Sequence, residues 1–343
     1  FYEITESYSK DFKEPLSQKI TRYFIRYFTR LFGYKVSIIS SDFFQLLFSK
    51  ESSSKTFIKI SHLFEINKYR LLFLLKMRQG DLGSAVQIKK EWLVYSFSNS
   101  PNRVVRNTAK KYLELLDSDK PPQNDSKFYP ILRKATHSKE KFYIYGPNAI
   151  SEPSEEYHDF NIVFTKPINK VPLEYKSNIL YLNSIFYRQR VENNPEYIDQ
   201  IVSSYKKIYV SCRISKLIQP FEKAKFPIGS HIASSMALGR ILYDLRFRFG
   251  NFKCVIEGFD LYLERESYKN HYPSLTKDKD NVINEQIICK GLADHDFLYN
   301  FLYVKDLCKG FEINDSDEFK KIISLSSNSY IEELNKSRDF RTL

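Results

Sequence analysis

The chain has 343 residues, of which 42% are hydrophobic and 16% aromatic, and it carries a formal net charge of +12. This composition is ample for buried cores and excludes a low-complexity chain, and the length favours two domains over one. The positive balance favours anionic partners: nucleotides, acidic glycans, membrane surfaces or nucleic acids.

Residues 1–117 read as an all-helical N-terminal domain. Over residues 19–35, Arg22, Arg26 and Arg30 recur one helical turn apart, while Ile20, Tyr23, Phe24, Tyr27, Phe28 and Leu31 fill the other faces. Such a cationic amphipathic helix either packs on its neighbours with a solvated Arg stripe or makes peripheral contact with an anionic membrane surface. Residues 69–75 and 82–97 form a helical hairpin pattern broken at Gln79-Gly80-Asp81, and residues 103–116 add another helix. The group resembles one tetratricopeptide-like unit without a repeat at that period. No stretch reaches the ~18 apolar residues of a membrane span, and no basic start with an apolar core marks a signal peptide. The expected location is cytoplasmic, peripheral at the inner membrane only on the second of those two readings of the basic helix.

Residues 118–127 are polar and contain Pro121-Pro122, the composition of a linker. From 128 to 343 the pattern changes. Short β-rich runs at 142–145, 160–164, 179–182, 207–211 and 252–257 alternate with helical patterns near 195–205 and 230–247. This alternation predicts an α/β domain with a mostly parallel, Rossmann-like sheet and helices on both faces. Ligands of such sheets sit at the carboxyl ends of the strands. The four cysteines (Cys212, Cys254, Cys289 and Cys308) have no C-x-x-C spacing and read as reduced core thiols.

The residues after the strands are therefore the candidates. The first strand ends in Gly146-Pro147-Asn148, either an ordinary turn or a close backbone approach to a ligand. The third ends at Asn183, again an amide at a ligand-facing position or an ordinary turn. Gly229-Ser230 is expected to open a long helix, where N–H groups and the helix dipole favour a phosphate or carboxylate, or where Ser230 only caps. Gly258-Phe259-Asp260-Leu261-Tyr262 follows a strand, with Tyr268 shortly after. His295 is expected at the start of a last helix, with Asp294 and Asp296 able to orient it. Asp-x-Asp triplets begin at Asp117, Asp278, Asp294 and Asp315, but none follows a convincing strand, so no metal is expected. Dinucleotide, P-loop and nucleophile-elbow motifs are missing. The basic residues are spread along the chain, which disfavours nucleic acid.

Taken together, residues 141–307 resemble the sialyltransferases of glycosyltransferase families 29 and 42, which use CMP-activated sialic acid; relatives use other ulosonic acids such as Kdo. The family's Gly-Asn-Gly turn corresponds to Gly146-Pro147-Asn148, with its order altered. The Asn that usually follows the second strand is missing, leaving Thr165 or Lys166 in its place, whereas Asn183 keeps the third strand's terminal Asn. The family's Ser/Thr-Ser-Gly helix start appears reversed as Gly229-Ser230, and its Gly-Phe/Ile-Asp-Tyr-like strand end matches Gly258 to Tyr262. The resemblance implies a nucleotide and donor site of Gly146, Asn148, Thr165, Asn183, Gly229, Ser230, Gly258 and Asp260. It implies His295 as general base, and Tyr262 and Tyr268 near the leaving phosphate. The implied activity is metal-independent, inverting transfer of a sialic acid or Kdo-type sugar from a CMP-sugar to an anionic glycan or glycolipid acceptor, as in surface polysaccharide or lipo-oligosaccharide. Two alternatives stand beside it: a transferase with a UDP- or CDP-activated donor, and a non-catalytic helical adaptor with a degenerate nucleotide-binding module.

Overall fold

The computed structural model describes residues 53–117, 137–146, 157–165, 177–183, 187, 191, 195–211, 217–226, 229–230, 232–263, 285–313 and 317–343. The cationic helix expected over residues 19–35 and the linker at 118–127 lie outside them.

Three helices come first: α1 (Ser53–Arg78), α2 (Leu82–Asn99) and α3 (Arg103–Asp117). The hairpin break falls where Gly80 takes φ 74°, a value glycine adopts without steric cost, and where Asp81 caps α2 by accepting from Ser84 N. The buried stripe of α2 is Leu82, Ala85, Lys89, Trp92, Leu93 and Ser96, a helical period with one lysine in an apolar position.

The chain then builds β1 (His137–Tyr145), β2 (Asn161–Phe164), β3 (Ser177–Asn183), α4 (Pro195–Ser204), β4 (Lys207–Ser211) and β5 (Glu222–Lys223). Next come α5 (Ala237–Phe249), β6 (Asn251–Glu257), α6 (Glu285–His295), α7 (Phe297–Cys308), β7 (Glu312–Ile313), α8 (Asp317–Ser324) and α9 (Ser327–Ser337). The seven strands form one sheet in the order β5-β4-β3-β2-β1-β6-β7, with every pairing parallel. This is the expected Rossmann-like α/β fold.

Strand alternation divides the sheet's side chains between two cores. Phe142 and Ile144 of β1, Ile179 and Tyr181 of β3, and Cys254 and Ile256 of β6 enter the larger core. Tyr143, Leu180, Leu182 and Val255 enter the smaller one on the opposite face, with Ile201 of α4 and Tyr205. The central strands are apolar on both sides because both faces are covered. The larger core also takes in the buried faces of α1 to α3, so the first helices and the sheet share one apolar interior. Tyr112 of α3 meets Tyr299 of α7 edge-on, at 5.2 Å between ring centroids. Cys254, Cys289 and Cys308 are buried free thiols, and burial pushes those of Cys254 and Cys289 up to about 12. Among the described residues no helix is long and apolar enough to cross a membrane.

Topology positions the site. The chain adds β2, β3, β4 and β5 successively to one side of β1, then crosses to place β6 on the other side. The carboxyl ends of β1 and β6 therefore flank the point where strand order reverses, the crevice in which open α/β sheets bind ligands.

Candidate functional site

At the switch point two glycines lie against each other. Gly146 N donates to Glu257 O at 2.8 Å. A Cβ on Gly146 would stand 2.5 Å from Gly258 O and 2.6 Å from Glu257 O, both backbone atoms that cannot swing aside. Only glycine lets β1 and β6 end this close together. Gly258 itself takes φ 70° and starts a sharp turn. Leu261 and Tyr262 follow at φ 48° and 72°, a conformation costing about 1–3 kcal/mol per non-glycine residue. The turn is held from outside: Tyr330 OH donates to Leu261 O at 2.8 Å, and Arg338 Nε donates to Tyr262 O at 3.0 Å. The Asp260 carboxylate accepts from Tyr262 N within the same turn, at 3.0 Å.

Of the other candidates, Thr165 sits at the end of β2, its hydroxyl 3.5 Å from Tyr145 O of β1. Asn183 closes β3 opposite Ser211 of β4. It lies on the same edge, two strand spacings from β1, roughly 10 Å away. Asn148 and Tyr268 lie outside the described residues.

The Gly229-Ser230 expectation needs correction. The helix starts at Ala237, with Met236 at its N-cap and no side-chain cap, so Gly229 and Ser230 do not form a helix N-terminus. Tertiary hydrogen bonds hold the intervening backbone in a loop. Ile232 O accepts from Lys89 Nζ at 2.6 Å, Ser234 O from Asn300 Nδ2 at 3.1 Å, and Ser235 O from Arg240 Nε at 2.6 Å. Ser230 N donates forward to Ala233 O, which folds the loop back on itself. A Cβ on Gly229 would lie 2.7 Å from Ala233 O. The described residues between Gly229 and Met236 thus form a compact loop that leads into α5.

His295 also stands elsewhere than expected. It ends α6 rather than opening a last helix, and α8 and α9 follow α7. Its ring is exposed, with Nδ1 3.4 Å from Ser234 Oγ of the loop. Asp296 does not turn toward it. Asp296 is buried, adopts φ 60°, and caps α7 by accepting from Tyr299 N at 2.9 Å. Its carboxylate meets Tyr112 OH at 2.5 Å and Lys89 Nζ at 2.8 Å, both supplied by the first helices. Burial pulls the Lys89 ammonium below its ordinary range while the Asp296 carboxylate pulls it back up, and burial beside Asp296 pushes Tyr112 well up.

The structure brings together two groups. Gly146, Gly258 and Asp260 line the β1–β6 end. Gly229 and His295 gather around Ser234, and Tyr262 reaches the same loop through its hydroxyl, 2.9 Å from Met236 Sδ. The non-glycine residues with positive φ among the described residues are Leu261, Tyr262 and Asp296, all in segments bordering this region. Sequence reasoning missed Ser234, Asn300, Lys89 and Glu257. A serine pair just before the helix marks Ser234, a polar residue inside the apolar run from 297 to 304 marks Asn300, and a lysine on an apolar stripe marks Lys89. Burial and the Glu318 carboxylate hold half-buried Glu257 above the ordinary carboxylate range, at the carboxyl end of β6.

Among the described residues no group of three or more His, Cys, Asp or Glu could hold a metal ion. No protein-family model matches the chain, and no curated protein or solved structure matches it either.

Proposed function

We propose that the chain is a glycosyltransferase that moves a sialic acid or Kdo-type sugar from a CMP-activated donor to a glycan acceptor. The supporting observation is one arrangement: a β1–β6 switch point lined by glycine backbone, with an exposed imidazole paired to Ser234 on the neighbouring loop. A switch point suits a nucleotide, and an exposed histidine suits proton transfer.

In this reading His295 takes the proton of an acceptor hydroxyl as that oxygen attacks the anomeric carbon. The new C–O bond forms as the bond to the CMP phosphate oxygen breaks, on the opposite side, so the configuration inverts. CMP leaves with the bonding pair. Hydrogen-bond donors of the loop and the Tyr262 hydroxyl would stabilise its phosphate.

The test is CMP release from CMP-sialic acid and from CMP-Kdo, incubated separately, with and without glycan acceptors. Release with one donor is expected, and His295→Ala should lower it about 10²–10⁴-fold. Thermal stabilisation by UDP or CDP but not CMP would overturn the donor assignment. Unchanged release in His295→Ala would overturn the role of the base.

A further inference from the structure

Two buried side chains join the 229–236 loop to the His295–Asp296 corner, and neither belongs to either segment. Asn300, one turn into α7 and buried, uses both ends of its amide. Its Oδ1 accepts from Met236 N at 2.7 Å. Its Nδ2 contacts Ser234 O at 3.1 Å, His295 O at 2.7 Å and Asp296 O at 3.0 Å. Lys89 of α2, 3% exposed, makes a second connection between the same segments, donating to Ile232 O and pairing with the Asp296 carboxylate. Its ammonium also lies 4.2 Å from the Trp92 ring centroid, which helps hold a cation that has left water.

We propose that Asn300 and Lys89 are positioning residues that clamp the loop to the corner and so hold Ser234 against His295. The helices α1 to α3 are then a working part of the site, because one jaw of the clamp comes from α2. A buried amide with bonds on two segments fixes their separation more tightly than apolar packing does, since any shift leaves polar groups unpaired. A strained corner at Asp296 persists only where its surroundings over-determine it, and the two jaws do so.

The proposal rests on the reading of His295 as the base, yet the clamp has a readout of its own. The His295 ring signals in the NMR spectrum of the full chain, assigned by their loss in His295→Ala, are titrated in Ser234→Ala, Asn300→Asp and the double variant. Asn300→Asp keeps the shape and removes the donor shared by three carbonyls but adds a charge, so Asn300→Leu, which removes the donor without one, is titrated beside it and must move His295 in the same direction. Ser234→Ala and Asn300→Asp are expected to move the His295 titration in the same direction, and the double variant no further than either alone. Turnover for CMP release should fall about 10-fold in each with KM little changed. If Asn300→Asp does not fold, Lys89→Arg and Lys89→Met are read in its place, the first expected to keep the wild-type titration and the second to lose it. A His295 titration unmoved in folded Asn300→Asp, or effects that add in the double variant, would sink the clamp. Loss of activity in His295→Ala with an unmoved titration removes the clamp alone. A moved titration with full activity in His295→Ala removes the base alone.

Discussion

The two faces of the sheet solve different problems. On the smaller face, Tyr143, Ile162, Phe164, Leu180, Leu182, Val210 and Val255 pack against α4 and nearby aromatic rings. On the larger face, helices from both halves of the chain converge, and they carry charges into the interior. Lys89 and Asp296 meet there, and Asp244 is wholly buried between Tyr181 OH at 2.7 Å, Arg248 Nε at 2.9 Å and Lys225 N at 2.6 Å. Apolar burial is non-directional and suffices to hold layers together, whereas buried ions demand defined partners and so fix geometry. The candidate site borders the face that pays for such definition.

If that contrast is right, equal losses of stability on the two faces will have unequal functional consequences. Asp296→Ala leaves Lys89 buried without its partner and should cost about 3–5 kcal/mol. Phe164→Ala, at a fully buried position of the smaller face, should cost about 3–5 kcal/mol as well. Urea unfolding measures both. Under the proposed function, donor turnover per folded molecule should fall in the first and hold in the second. Equal turnover in the two variants would erase the distinction.

The next test removes the charges altogether. Lys89→Met alone strands a carboxylate, whereas Lys89→Met combined with Asp296→Asn removes both charges, and the pair should recover about 1–4 kcal/mol over the worse single variant. Recovered stability without recovered turnover would mark the ion pair as a geometric device.

A third test uses pH. Lys111 of α3 lies 4.0 Å from the Tyr303 ring centroid, and burial pulls its ammonium down to about 7 despite Asp306 and Glu114 nearby. Its ordinary value is near 10.5, so between about pH 7 and 10 the unfolded chain holds a proton that the folded chain has released. Stability should therefore rise with pH across that window, by at most roughly 1.4 kcal/mol per pH unit from this group, and be independent of Lys111 below it. Lys111→Met should flatten the rise. The smallest effect is expected at the sheet edge, where Lys253 and a largely exposed Glu312 lie 3.6 Å apart. Glu312→Gln should move the unfolding midpoint by the equivalent of about 0.5 kcal/mol or less.

The sheet was readable because its central strands carry apolar residues on both faces, and β1, β3, β4 and β6 end at or beside glycine, asparagine or serine. The expected runs at 207–211 and 252–257 became β4 and β6 almost residue for residue. The edge strands β5 and β7 have two residues each, too few to show a period. The helix expected from Ser230 failed for a different reason. Its first turn is pre-empted by Lys89 and Asn300, distant in sequence, and local periodicity carries no trace of such partners. The same holds for Asp296, whose place beside His295 suggested orientation of the ring while its carboxylate faces α2 and α3. Neighbours in sequence across a helix corner point in different directions, so adjacency was a poor guide there.

The ion pair at the corner also has a consequence in time. Tyr112 and Asp296 stand 184 residues apart, and Lys89 reaches Ile232 across 143. At ordinary rates of translation the ribosome needs roughly 10–40 s to reach Asp296 after making Tyr112. Until then the α1–α2 hairpin presents an apolar stripe interrupted by an ammonium that cannot leave water. Burying Lys89 before Asp296 exists would leave an unpaired ammonium, so closing the larger core around it is favourable only once the corner that carries His295 has been made.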